Sequence, residues 1–296
     1  PPPKKGFVIR EDRALIAYNI GGYESAIIVG THCDSPVLNL KIKSDPLTGQ
    51  QYAYCDGYGG GIWASLLDRP LKIAGSIKLI NNQIIPYESG PIATIPSNQE
   101  INSPGFKSYN IHQYLIPIFA FPKSTTLFQY VSNQIGINMS EIKSYELSLV
   151  DAYPPKIIGS RKEFLSSQRI DNLTSTFSGI KAFLSSEPKN TINILTVFDY
   201  EEIGSRKYSG AYGDFIPTVL HKILPNFSKT EFNAFIARSL FVSCDNGHAV
   251  HPNYSRLHDE MHAPPMGCGV LLKKSPVSSY ATDLTSSYSL KKAAVK

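Results

Sequence analysis

A chain of 296 residues is long enough for one large domain or two modest ones, each burying its own core. Apolar residues make up 42% and charged residues 18%, an ordinary globular balance that excludes a disordered or fibrous protein. The net charge of +5 is scattered over short clusters such as Lys4-Lys5, Lys273-Lys274 and Lys291-Lys292, a solvated surface rather than the concentrated basic face of a nucleic-acid binder.

The four cysteines, Cys33, Cys55, Cys244 and Cys268, show no paired spacing and read as reduced thiols, which predicts a cytoplasmic protein. No apolar run approaches the roughly 18 residues of a membrane span, and the opening Pro1–Lys5 lacks a signal peptide's apolar core. In chain order, Phe7–Arg10, Ala14–Tyr18 and Ala26–Val29 are predicted strands, separated by turns at Glu11-Asp12 and Gly21-Gly22. From Val37 to Tyr153 the texture changes to short apolar runs among Tyr, Pro, Gly, Ser and Asn. Leu38–Ile42, Ile73–Ile80, Ile92–Ile95 and Tyr114–Phe119 predict an all-β module, with 123–150 as a loosely helical or irregular exception. Helical spacing returns with Leu173, Phe177, Ile180 and Leu184. It predicts an amphipathic helix capped by Asp171 or Asn172 and packed on the strand Ile194–Phe198. A second helix around Pro217–Ile223 precedes a strand at Leu240–Ser243.

Three of these strands end in the same way. Ala26–Gly30 feeds Thr31-His32-Cys33-Asp34, Asn193–Phe198 feeds Asp199-Tyr200-Glu201-Glu202, and Leu240–Ser243 feeds Cys244-Asp245-Asn246-Gly247-His248. A buried strand that delivers carboxylates to its end is costly unless the charges meet a cation there. In open parallel α/β sheets the carboxyl ends of the strands are where sites assemble, so these three tips are expected to converge. His32, Asp34, Asp171, Glu201, Glu202 and Asp245 are then the candidates. One imidazole with several carboxylates suits zinc or manganese, and two ions bridged by a carboxylate are equipped for hydrolysis. Of the adjacent glutamates, one can ligate while the other acts as general base. Asp34, two residues after His32, fits the pattern of a carboxylate that fixes an imidazole's tautomer.

Other signals point to packing. The Gly57-Tyr58-Gly59-Gly60-Gly61 run lacks the Lys-Ser/Thr of a phosphate loop and reads as a tight turn near Trp63. His258 and His262 share helical spacing, but Asp259 stands where a zinc protease needs Glu, and Pro264-Pro265 ends any helix. His248 and His251 are expected to stabilise the loop after Asp245 or line a substrate pocket, and Cys33 and Cys244 to pack.

Five blocks occur in the order found in the aspartyl aminopeptidase family of dinuclear zinc metallopeptidases: Gly30–Pro36, Tyr58–Trp63 with Asp68-Arg69, Arg169–Leu173, Asp199–Ser205 and Asp245–Tyr254. The chain resembles that family from about Gly6 to Thr282. The resemblance implies an α/β fold: a three-layer catalytic domain of the phosphorylase/hydrolase-like type over residues 1–36 and 154–296, interrupted by a β-rich dimerisation domain over 37–153. It implies a homo-oligomer built from dimers, acting on peptides with a free N-terminus and removing an N-terminal Asp or Glu, with no nucleic acid and no membrane involved. It also implies two zincs per subunit. His32, Asp171, Glu202 and Asp245 would be metal ligands, with Asp171 bridging; Glu201 would be the general base, and Asp34 would orient His32.

Three departures from the family pattern accompany the match. No helical segment precedes Gly6, and Ile101 stands where the family places a His that reaches a neighbouring subunit. After Tyr280-Ala281-Thr282 the sequence does not supply the family's last metal-binding His. One zinc is therefore expected to lack a ligand. The rival expectation is a catalytically impaired homologue that serves as an assembly subunit.

Overall fold

The computed structural model describes residues 2–41, 51–52, 54–99, 110–120 and 124–294. The chain opens with strands β1 (Lys5–Arg10), β2 (Ala14–Ile20) and β3 (Ser25–His32). Next come β4 (Val37–Leu40), β5 (Gln51–Tyr52), β6 (Cys55–Tyr58), β7 (Leu71–Leu79), β8 (Ile84–Glu88), helix α1 (Ile111–Tyr114) and β9 (Ile118–Ala120). Helix α2 (Leu127–Ile135), β10 (Ile142–Asp151), β11 (Lys156–Ile158) and β12 (Phe164–Ser166) follow. The remainder is α3 (Ile170–Ser185), β13 (Thr191–Phe198), α4 (Phe215–Ile223), α5 (Lys229–Arg238), β14 (Leu240–Ser243) and α6 (Leu284–Ala294). Two compact units result, one of Pro1–Cys33, Asp171–Asp199 and Lys207–Lys296, the other of Asp34–Ile170 and Tyr200–Arg206. No helix among the described residues is long and apolar enough to cross a membrane.

The first unit is built on a five-stranded sheet in the order β1-β2-β13-β3-β14. The β1-β2 hairpin turns where Glu11 and Asp12 take φ of 53° and 55°, and β2 continues antiparallel to β13. β13 runs parallel to β3 from Thr191↔Ser25 to Phe198↔His32, and β14 runs parallel to β3 from Leu240↔Ile27 to Ser243↔Gly30. The three strands with acidic sequels are thus adjacent and point the same way. β13 is buried along nearly its whole length, as a parallel strand covered on both faces must be. On one face Ile16, Ile28, Ile192 and Ile194 meet Phe215, Val219 and Leu220 of α4 and the fully buried Phe235 of α5. Helix α5 was not anticipated from the sequence. Its signal is the capping box in which Ser228 accepts from the Glu231 amide while the Glu231 carboxylate accepts from the Ser228 amide.

Helix α3 lies on the opposite face, and there the expected packing is inverted. Leu173, Phe177, Ile180 and Leu184 are all exposed, Leu184 by 72%. The buried positions are Asn172, Thr176 and Gly179. A Cβ built on Gly179 would stand 2.9 Å from Leu195 Cδ1, so the absent side chain lets the helix backbone settle onto the sheet. Thr176 bonds instead of packing: its hydroxyl donates to the His32 carbonyl at 2.9 Å. The contacting face is small and polar because it works against strand ends, not against a hydrophobic core.

The second unit has an antiparallel sheet in the order β6-β4-β10-β7-β8 over a core of Leu38, Leu71, Ile73, Ile77, Ile95, Leu147 and Leu149. The 123–150 stretch read as loosely helical or irregular holds helix α2 and also, but for Asp151, the central strand β10. The correction has a visible cause, since Tyr145, Leu147 and Leu149 alternate with the period of two that a half-buried strand requires. Gly75 of β7 has no room for a Cβ, which would lie 2.0 Å from the Glu146 carbonyl oxygen of β10. Trp63 packs over Gly57 and Gly61, so the glycine run serves a turn under an aromatic ring. Of the predicted run Leu38–Ile42, Ile42 lies outside the described residues.

The inversion of α3 makes a direct prediction. In urea unfolding followed by circular dichroism, Gly179→Leu is expected to cost about 1–3 kcal/mol through overpacking. Leu184→Lys is expected to stay within about 0.5 kcal/mol of the parent.

Candidate metal centre

His32 closes β3 and is 3% exposed, its ring held where the parallel strands end. Asp171 enters from the start of α3, where residues 171 and 172 are not yet helical and are joined by a cis peptide bond. Asp245 follows β14, and the Cys244 amide before it donates to the Gly30 carbonyl at 2.8 Å, continuing the pairing with β3. The result is one cluster: His32 Nε2 lies 3.3 Å from Asp171 Oδ1 and 3.4 Å from Asp245 Oδ1, with all three donor atoms within 4.8 Å of one another.

These distances fit a metal ion. With zinc bonds of about 2.0–2.2 Å to imidazole nitrogen and carboxylate oxygen, tetrahedral ligand atoms sit about 3.4 Å apart. The electrostatics agree. The Asp171 carboxyl is raised above the usual aspartate range, first by desolvation and then by the negative charge of Asp245, with His32 and Lys273 pulling it down. Crowding of two carboxylates against a buried imidazole is a cost that a divalent cation removes. One imidazole and two carboxylates make a donor set of the zinc type.

The other sequence candidates lie in the second unit. Asp34 accepts from the Tyr58 hydroxyl at 2.7 Å and from the backbone amides of Glu201 and Glu202 at 3.1 Å each. One carboxylate thereby anchors the short 3₁₀ turn Glu201–Ile203, which the left-handed residues Tyr200 (φ 63°) and Gly204 (φ 92°) bracket. The structure therefore gathers His32, Asp171 and Asp245 in one unit, and Asp34, Glu201 and Glu202 in the other. Ile101 lies outside the described residues.

Two residues in these arrangements carried no assignment from sequence. Tyr58 is the hydroxyl donor to Asp34; its place beside the glycine run was the available signal. Lys273 belongs to a basic cluster read as solvated surface, yet its Nζ stands 3.6 Å from Asp245 Oδ2, and no local pattern distinguishes it from Lys274. The His258/His262 pair lies outside any helix. His262 instead pairs with Asp259 at 3.4 Å, and the ring of His258 meets that of His248 edge-on at 5.3 Å.

The chain is similar to known proteins over nearly its whole length. A protein named "Probable M18 family aminopeptidase 2" from Stutzerimonas stutzeri (strain A1501) is 35% identical over 300 residues, covering 93% of this chain and 68% of the relative. "Probable aspartyl aminopeptidase" from Ricinus communis is 29% identical, covering 99% of this chain and 72% of that protein. Among solved structures, "Cryo-EM structure of the Ape4 and Nbr1 complex" contains a chain superposing with a TM-score of 0.89 at 30% identity. It covers 99% of the present chain, which spans 64% of that protein's length. The profile of the family described as "Aminopeptidase I zinc metalloprotease (M18)" matches residues 2–296, and the chain, an α/β protein carrying a donor set of the zinc type, belongs to that family.

Proposed function

We propose that this chain is a zinc aminopeptidase that removes an N-terminal Asp or Glu from peptides, acting in the cytoplasm as a homo-oligomer built from dimers. The observation that carries the reading is the His32, Asp171 and Asp245 cluster at adjacent parallel strand ends. Support for the rest comes from membership of the M18 family and from the motif order along the chain. In this reading His32, Asp171, Asp245 and Glu202 would hold two zincs. The β-rich segment 37–153 is the dimerisation domain.

Zinc at such a centre supplies Lewis acidity toward a scissile carbonyl and activates the attacking water. The chain's own groups do the remaining work. His32, already buried and aimed between two carboxylates, needs no reorganisation to ligate. Glu201 takes the proton of the attacking water and returns it to the departing amine, in keeping with a carboxylate general base. Asp34, by gripping the amides of Glu201 and Glu202, keeps the two side chains on a fixed turn.

The preference for an acidic residue has its own electrostatic support. The Lys273 ammonium, 3.6 Å from Asp245 Oδ2, is a cation beside the cluster, and a cation there favours an anionic side chain over a neutral one. The rival, an assembly subunit without turnover, shares the fold and differs in chemistry. Two zincs per chain with release of N-terminal Asp supports the enzyme; one zinc or none without release supports the rival.

Three measurements test this reading. Elemental analysis is expected to find zinc in the purified chain and to find it depleted in His32→Ala. Glu201→Gln is expected to lower kcat by about 10²–10⁴-fold while zinc content is retained. Lys273→Met is expected to raise KM for an N-terminal Asp peptide about tenfold, about 1.4 kcal/mol, and to leave an N-terminal Ala peptide nearly unchanged. Equal losses on both peptides would remove Lys273 from substrate selection.

A further inference from the structure

The first turn of α3 carries four short polar side chains in five positions: Asn172, Thr174, Ser175 and Thr176. Such residues near a helix start ordinarily bond their own backbone. Here they also reach other parts of the first unit. The fully buried Asn172 donates through Nδ2 to the Cys244 carbonyl at 2.9 Å. The hydroxyls of Thr174 and Ser175 both donate to Asn246 Oδ1, each at 2.9 Å. Thr176 donates to the His32 carbonyl and sits 3.0 Å from the Thr31 hydroxyl.

The targets of these bonds share one property. Cys244 and Asn246 are the residues on either side of Asp245, and the Thr176 bond ends on His32 itself. The helix that brings Asp171 therefore also holds the other two donors of the cluster, through side chains that are not themselves donors. Asp245 depends on this most, because its side chain is 39% exposed and it lies in an irregular segment beyond a four-residue strand. A carboxylate free to rotate would lose affinity for an ion, whereas one whose neighbours are pinned presents its oxygen at a fixed place.

We infer that Thr174, Ser175 and Asn246 are positioning residues of the metal centre, setting Asp245 against Asp171 through two hydroxyl bonds to one amide oxygen. The inference rests on the zinc reading of the cluster given above. Thr174 and Ser175 are the useful probes, since both are only partly buried and their bonds are side chain to side chain. Asn246 Oδ1 accepts two bonds, the full capacity of an amide oxygen, so removing both hydroxyls takes both of these restraints from the Asn246 side chain.

The test is zinc affinity of the 296-residue chain, measured by competition with a chromophoric chelator, together with the visible absorption of the cobalt-substituted protein. Thr174→Val with Ser175→Ala is expected to weaken zinc binding about 10–100-fold and to alter the cobalt bands, while Thr174→Ser alone retains parental affinity. The thermal midpoint of the zinc-free double variant is expected to match the parent. The single variants Thr174→Val and Ser175→Ala, each expected to give a partial loss of affinity, provide the readout if the double variant folds poorly. Unchanged affinity in the double variant, with zinc lost in His32→Ala, overturns the positioning role and leaves the zinc reading standing. Unchanged affinity in His32→Ala overturns both. Loss of affinity that follows a falling zinc-free midpoint across the single variants also overturns the role, since it marks these hydroxyls as structural supports only.

Discussion

Two aspartates drawn against one buried imidazole are the constraint that the first unit is arranged to satisfy. At 3.3 and 3.4 Å from His32 Nε2, Asp171 and Asp245 are close enough to repel one another, and burial deepens the penalty. A chain can hold such a group only if rigid elements impose it. Here a parallel pairing of β3 with β13 and β14 fixes where His32 and Asp245 emerge, and α3 delivers the third donor. The sheet supplies position, while the helix supplies both a ligand and the bonds that hold its neighbours.

The same arrangement explains an otherwise odd division of labour along α3. A helix on an α/β sheet normally buries its apolar stripe. In this chain the inward face is Thr176 and Gly179, because polar side chains are needed where strand ends must be tied, and a glycine is needed where Leu195 comes close. Hydrophobic stability comes from the other face, where α4 and α5 close over Ile16, Ile28, Ile192 and Ile194. Rigidity at the centre and burial in the core are thus assigned to opposite sides of one sheet.

Much of this was legible from the residues alone. β-branched runs ending in acids identified the three parallel strands, and their shared direction implied a meeting point for His32 and Asp245. What escaped was set by tertiary context. The periodicity of Leu173, Phe177, Ile180 and Leu184 gave a helix correctly but the wrong face, since spacing reports a stripe and not what it packs against. β10 was lost because the consecutive polar Lys143 and Ser144 interrupt the alternation between Ile142 and Tyr145, at the register shift near the strand's start. Lys273 could not be singled out, because its meaning comes from Asp245, to which the fold and not the neighbouring sequence brings it.

The outward stripe of α3 bears on how the protein behaves in a tube. Four large aliphatic and aromatic groups on successive turns of a solvent-facing helix form an adhesive strip, and such strips draw molecules together or onto plastic and resin. Association through that strip is apolar, so mild non-ionic surfactant and dilution are expected to weaken it, whereas the added salt that dissolves an ionic contact is not.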